Sequence, residues 1–320
     1  MYNVLDHNEK SARMMREIYT ETLIELAESN DNIVALDADL IASSGMGSFF
    51  KKFPDRAFQC GVAEANMIGI AAGLSVMGKV PFAHSFGCFA SRRVCDQIMI
   101  SAAYAKQNVR IVGTDPGITA AYNGGTHMPF EDMGVLRSIP KITLIEPTDT
   151  VMLKDIIIQL ATLYGVYYIR MARKNVANIY TEGSTFKIGR GNVIRDGQCV
   201  TVFASGIMVV EALKAASQLS KENISVRVVD MFTWKPIDKE LVEKCARETG
   251  AFVTAENHNI VGGLGSCVAE AAALTCPVPI EMVGINDSFG QVGTEDFLRK
   301  EYNLTSDAIT EAVKNVLKRK

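Results

Sequence analysis

Ala57-Phe58-Gln59-Cys60-Gly61-Val62-Ala63-Glu64-Ala65-Asn66-Met67-Ile68-Gly69-Ile70-Ala71-Ala72-Gly73-Leu74 passes from a short apolar strand through a glycine turn into a helix of small residues. Glu64 is the only carboxylate between Ala57 and Met77 and falls close to the helix start. A buried carboxylate is costly unless paired, and desolvation raises its pKa. The dipole of a helix N-terminus offsets part of that cost. On this segment alone, Glu64 is either a partly exposed N-terminal acid or a buried acid retained for a task.

On either side of this unit, short β-rich runs alternate with longer helical patterns. Ile33-Val34-Ala35-Leu36, Val80-Pro81-Phe82-Ala83, Val109-Arg110-Ile111-Val112, Ile142-Thr143-Leu144-Ile145 and Val166-Tyr167-Tyr168-Ile169 read as strands. Met15, Ile18, Tyr19, Thr22, Leu23 and Leu26 keep helical spacing, with Ser11 as the expected N-cap. Such alternation predicts a parallel sheet covered by helices. From Val176 to Gly191 the pattern gives way to polar residues and glycine. It restarts at Val200-Thr201-Val202-Phe203-Ala204, Val226-Arg227-Val228-Val229, Ala251-Phe252-Val253-Thr254 and Ile280-Glu281-Met282-Val283. The expected fold class is α/β with two domains, residues 1–187 and 188–320, each a mostly parallel sheet covered by helices.

A chain of 320 residues is long enough to divide in two. The net charge of -3 is near balance, and the closing Lys318-Arg319-Lys320 reads as a solvated tail, so neither nucleic acid nor a membrane surface is an expected partner. The N-terminus carries no basic and apolar leader pattern, and the expected location is the cytoplasm. Seven cysteines without a CxxC pair read as reduced buried thiols, and no metal site is expected within this chain.

Phe86 and Phe89, three residues apart after an apolar strand, share a face or turn. His127 follows Asn123-Gly124-Gly125-Thr126, a glycine turn that lets backbone approach a ligand closely. On spacing alone the two rings are core residues, and a lone histidine is more often structural than functional.

Gly61-Val62-Ala63-Glu64, Phe86 and Phe89, and Gly125-Thr126-His127, in that order and spacing, resemble the pyrimidine-binding domain of the transketolase family of thiamine diphosphate enzymes. Ala255-Glu256-Asn257-His258, followed by Val261-Gly262-Gly263-Leu264-Gly265-Ser266, is similar to that family's C-terminal domain. The resemblance spans essentially the whole chain. It implies that Glu64 is the acid at N1′ of the cofactor's aminopyrimidine, where a carboxyl kept partly protonated by an apolar pocket would both donate and reclaim a proton. It implies further that Phe86 and Phe89 wall the ring, that Asp39 is an acid near the cofactor, and that His127 assists proton movement. Asp39 reads equally well as a strand-end acid capping the next turn.

Arg13, Ser43 and Arg173 match positions that hold the phosphate of sugar-phosphate substrates, a task suited to the guanidinium fork. Arg170 is a lesser candidate of the same kind. Two positions depart from the family pattern: Asp115 stands where a phosphate-contacting histidine is usual, and Asn123 where a hydroxyl-reading aspartate is usual. Asp115 repels a phosphate dianion, so an unusual ketose is expected in place of the ordinary pentose phosphates. Asp115 also resembles deoxyxylulose-phosphate synthases.

The family's GDG motif and downstream asparagines, which bind the diphosphate through Mg²⁺, are missing, since Arg195-Asp196-Gly197 has no asparagines after it. The resemblance therefore implies a split enzyme. An N-terminal transketolase subunit would supply the diphosphate and Mg²⁺ site, in an assembly with two copies of each chain. The alternatives are the β subunit of a 2-oxo-acid dehydrogenase, a deoxyxylulose-phosphate-synthase-like enzyme, and a non-catalytic scaffold subunit. Gly262-Gly263-Leu264-Gly265 lacks P-loop and dinucleotide spacing and reads as close strand-to-helix packing, while Trp234 reads as structural.

Overall fold

The computed structural model describes residues 1–6 and 9–320. Its strands, in chain order, are β1 (Ile33–Asp37), β2 (Ala57–Gln59), β3 (Val80–Phe86), β4 (Val109–Thr114), β5 (Ile142–Ile145), β6 (Val166–Met171), β7 (Asn192–Arg195), β8 (Val200–Ala204), β9 (Val226–Asp230), β10 (Thr233–Lys235), β11 (Phe252–Asn259) and β12 (Ile280–Ile285). They form two sheets, one ordered β10-β5-β6-β4-β3-β1-β2 and the other β12-β11-β8-β9-β7. Each is parallel except at one edge, where β10 runs antiparallel to β5 and β7 antiparallel to β9. The α/β architecture read from the sequence is the one observed.

Central strands β4 and β6 are buried along their whole length, as expected where helices cover both faces of a parallel sheet. The helix Met15–Ser29 buries Met15, Tyr19 and Leu23, the stripe read from the sequence. Its start differs from expectation. Ser11 accepts a hydrogen bond from the Arg13 amide, the N-cap is Met14, and Glu17 covers the Met14 amide at 2.9 Å. Strands β7 and β10 were not anticipated. β10 lies in the second half of the sequence, yet it completes the edge of the first sheet.

Other contacts tie the halves together. Asn257, at the end of β11, donates to the Pro116 carbonyl at 2.9 Å and accepts from the Ile118 amide at 3.0 Å. The segment between the halves is strapped by antiparallel bridges from Val4 to Tyr180 and from Lys10 to Ala177. Glu256, wholly buried, accepts from the amides of Leu264 and Gly265 at the start of the helix Leu264–Thr275. A Cβ at Gly263 would collide with that carboxylate. The glycine run is therefore shaped by a buried acid capping a helix, a more specific cause than close packing alone. Among the described residues, no helix is long and apolar enough to cross a membrane.

Candidate active site

Ligands of open α/β sheets bind at the carboxyl ends of the strands, and the candidate residues collect there. β3 ends on Phe86, β4 leads into Asp115, and β6 leads to Arg173. Asp39 and Asp115, just beyond β1 and β4, hold left-handed backbone with φ of 63° and 57°. Non-glycine residues adopt this conformation at a cost, and such strain concentrates at functional sites.

Glu64 is the first residue of the helix Glu64–Val76 and is only 2% exposed. The apolar run around it sends its helix inward and carries the carboxylate beneath the end of β3. Ser85 Oγ lies 3.4 Å from Glu64 Oε1, and Arg93 donates to Oε2 at 2.7 Å. The acid is thus paired, not isolated in an apolar pocket, because a second element brings a cation that the local run of residues does not contain.

The two phenylalanines stand together. Phe86 and Phe89 lie 6.2 Å apart between ring centroids, and His127 packs edge-on at 5.9 Å and 5.2 Å from them. His127 Nδ1 shares a 2.9 Å hydrogen bond with Thr126 Oγ1. Arg92 steadies this turn by donating to the Thr126 carbonyl at 3.1 Å and pairing with Glu131. The Arg93 guanidinium lies 3.9 Å from the centroid of Phe89. A planar nitrogen group lying against an aromatic ring within hydrogen-bond reach of a buried carboxyl takes the place an aminopyrimidine would occupy. The residues therefore fit the pyrimidine end of thiamine diphosphate.

On the neighbouring side, Asp115 is buried, its Oδ2 lies 3.2 Å from Arg173 Nε, and Arg173 sits 5.6 Å over the Phe86 ring. Burial pushes the Asp115 carboxyl up to about 6, against the opposing charge of Arg173. His84 and Tyr19 pack beside this pair with ring centroids 5.9 Å apart. Burial, and then the Arg173 charge, push His84 down to about 3. Neither ring nitrogen of His84 nor the Tyr19 hydroxyl has a hydrogen-bond partner within the described chain.

Other predicted residues are placed differently. Arg13 is half-exposed and pairs with Glu21. Arg16, one helical turn on, reaches the Ser43 carbonyl at 3.0 Å and acts on Asp115. Asp39 is exposed, its amide held by Gln59 Oε1 at 2.8 Å. Asp37 is the buried acid of that strand end and accepts from Ser44 Oγ at 2.9 Å. Asn123 is exposed. Arg170 is fully buried and engaged by Asp132, Glu146 and the carbonyls of Pro129 and Asn257. It is a structural tie and not a substrate ligand. Arg93 was missed by sequence reasoning, because the helix ends at Ala90 and the non-helical Ser91 turns the chain before Arg93 reaches the Phe89 ring.

The fold is an α/β pair of mostly parallel sheets with an acid and two aromatic rings gathered at the carboxyl ends of the first sheet's strands. The profile for the transketolase pyrimidine-binding domain matches residues 11–178, that for the transketolase C-terminal domain matches residues 189–309, and the chain belongs to the transketolase family. It is 49% identical over 306 residues, covering 96% of this chain and 95% of the relative, to the 6-deoxy-6-sulfo-D-fructose transketolase subunit SqwH of Clostridium sp. (strain MSTE9). It is 43% identical to a putative transketolase C-terminal section of Methanocaldococcus jannaschii, covering 95% of this chain and 96% of that protein. A solved split gene transketolase, an inactive beta4 tetramer, superposes with a TM-score of 0.89 at 42% identity, covering 95% of this chain and 98% of that one.

Proposed function

We propose that this chain is the C-terminal subunit of a thiamine-diphosphate-dependent transketolase, moving a two-carbon ketol unit from a ketose with an anionic terminus to an aldehyde. A separate N-terminal subunit holds the diphosphate and Mg²⁺, and two copies of each chain make the working cytoplasmic enzyme. The division of the chain near residue 187 belongs to the same reading. The observation that carries it is the buried Glu64 carboxyl at a helix N-terminus beside Phe86, Phe89 and His127.

When bound, thiamine diphosphate supplies the carbanion-stabilising chemistry that breaks and forms the ketol carbon–carbon bond. Glu64 holds and moves a proton at the ring nitrogen it faces, and Phe86 and Phe89 orient the ring. His127, half-buried against both phenylalanines, is placed to give or take a proton at a substrate oxygen. The exposed apolar side chains Val62, Val76 and Met77, on the same strand-turn-helix unit as Glu64, support a subunit interface there.

The substrate class follows from charge. Asp115 already neutralises part of Arg173, so the anion pocket suits a singly charged tail better than a phosphate dianion. The sulfonate in the name of the Clostridium relative's substrate is such a tail, and a 6-deoxy-6-sulfo ketose is the first donor to test. Glu64→Ala in the reconstituted pair is expected to lower turnover by at least ~10²-fold, the lower bound for loss of general acid–base assistance. Near-normal turnover would overturn the assignment.

A further inference from the structure

Arg93 makes both contacts that the proposed function assigns to the cofactor ring. It donates to Glu64 Oε2 at 2.7 Å and lies 3.9 Å from the Phe89 centroid. The same carboxyl oxygen and ring face cannot hold the guanidinium and the aminopyrimidine at once. Arg93 is also 44% exposed while Glu64 is 2% exposed, so the pair has one anchored member and one that can leave. The helix bearing Glu64 and the turn bearing Arg93 pack against each other, and the exposed guanidinium has solvent beside it to move into.

We propose that Arg93 is an internal competitor for the pyrimidine pocket: its guanidinium occupies the place of the ring in the empty subunit and is displaced when the cofactor enters. The proposal rests on the reading of Glu64 and Phe89 given above. Its physical basis is the cost of a buried, unpaired carboxylate. A subunit made apart from its partner holds Glu64 beneath a half-built pocket, and Arg93 keeps that charge paired until the ring takes over. Pairing in the empty state and competition in the loaded state are two consequences of one contact. They pull stability and cofactor affinity in opposite directions.

That opposition separates the device from a purely structural ion pair. The reconstituted two-chain enzyme, wild type and Arg93→Ala, is titrated with thiamine diphosphate and Mg²⁺ by calorimetry, and the melting temperature of each cofactor-free complex is recorded. Arg93→Ala should melt lower when empty yet bind the cofactor about tenfold more tightly, a difference of ~1.4 kcal/mol. Arg93→Lys, which keeps the charge but not the planar stack, should fall between the two and stands in if the alanine variant does not assemble. Unchanged or weaker cofactor binding in both variants would overturn the proposal, and a parallel loss of stability and affinity would mark Arg93 as structural. If wild type itself does not bind the cofactor, the functional reading falls and this inference with it, whereas failure of the inference alone leaves wild-type binding intact.

Discussion

In the proposed site, single residues set what the pocket would accept. Asp115, raised to about 6 by burial, is charged and engages Arg173 above that pH and is neutral below it. For an anionic donor, KM should therefore fall as the pH drops through about 6, as Arg173 is released. Asp115→Asn should give the low KM across the whole range and flatten the profile. Initial rates at fixed acceptor between pH 5 and 8 check this, and a KM profile unchanged by the substitution would remove Asp115 from the substrate site. The clustering of Phe86, Phe89 and His127 and the burial of Glu64 were legible because these residues sit in ordered motifs. Arg93 and Arg16 were not, because a surface arginine and one turned inward look alike in sequence. Which of Arg92 and Arg93 meets Glu64 is settled by the rotation of a short turn after Phe89.

Elements were legible where a strand is mostly apolar or, like the three-residue β2, leads into a recognisable turn and helix, and illegible where a short strand has neither signal. β10 has three residues and pairs with β5, nearly ninety positions earlier. No local pattern announces such a partner. β7 alternates buried and half-buried residues and forms an antiparallel edge, a weaker signal than the fully buried runs. The helix Leu264–Thr275 shows how a motif acquires a cause. Burial pushes its cap, Glu256, up to about 8, against the stabilising amides of Gly265 and Leu264. A carboxyl with a raised folded-state pKa binds its proton more tightly folded than unfolded. Through this group, stability therefore falls as pH rises from about 4.5 toward about 8 and is level beyond. Glu256→Gln should flatten that slope. Gly263→Ala forces a methyl onto the carboxylate and should cost about 1–3 kcal/mol, the range for overpacking. Urea midpoints at pH 6 and pH 8 read both effects; an unaltered slope in Glu256→Gln, or an unaltered midpoint in Gly263→Ala, would contradict the capping account.

At the scale of the molecule, the two sheets are joined by contacts that converge on the loops of the site. Asn257 from the second half anchors the backbone at Pro116 and Ile118, immediately after Asp115. β10 closes the first sheet, and Arg170 links Asp132 and Glu146 to the Asn257 carbonyl. The second half therefore anchors loops and a sheet edge of the first although it contributes none of the proposed catalytic side chains. Glu64, Phe86, Phe89 and Arg173 form one side of the proposed pocket, and its other side is proposed to come from a second polypeptide. Ketol transfer from 6-deoxy-6-sulfofructose to an aldehyde should be measured for this chain alone, for the N-terminal subunit alone, and for mixtures at increasing ratio, with thiamine diphosphate and Mg²⁺ throughout. The account predicts no activity from either chain alone and a rise in the mixture that saturates at one N-terminal subunit per copy of this chain. Activity from this chain without its partner would contradict it.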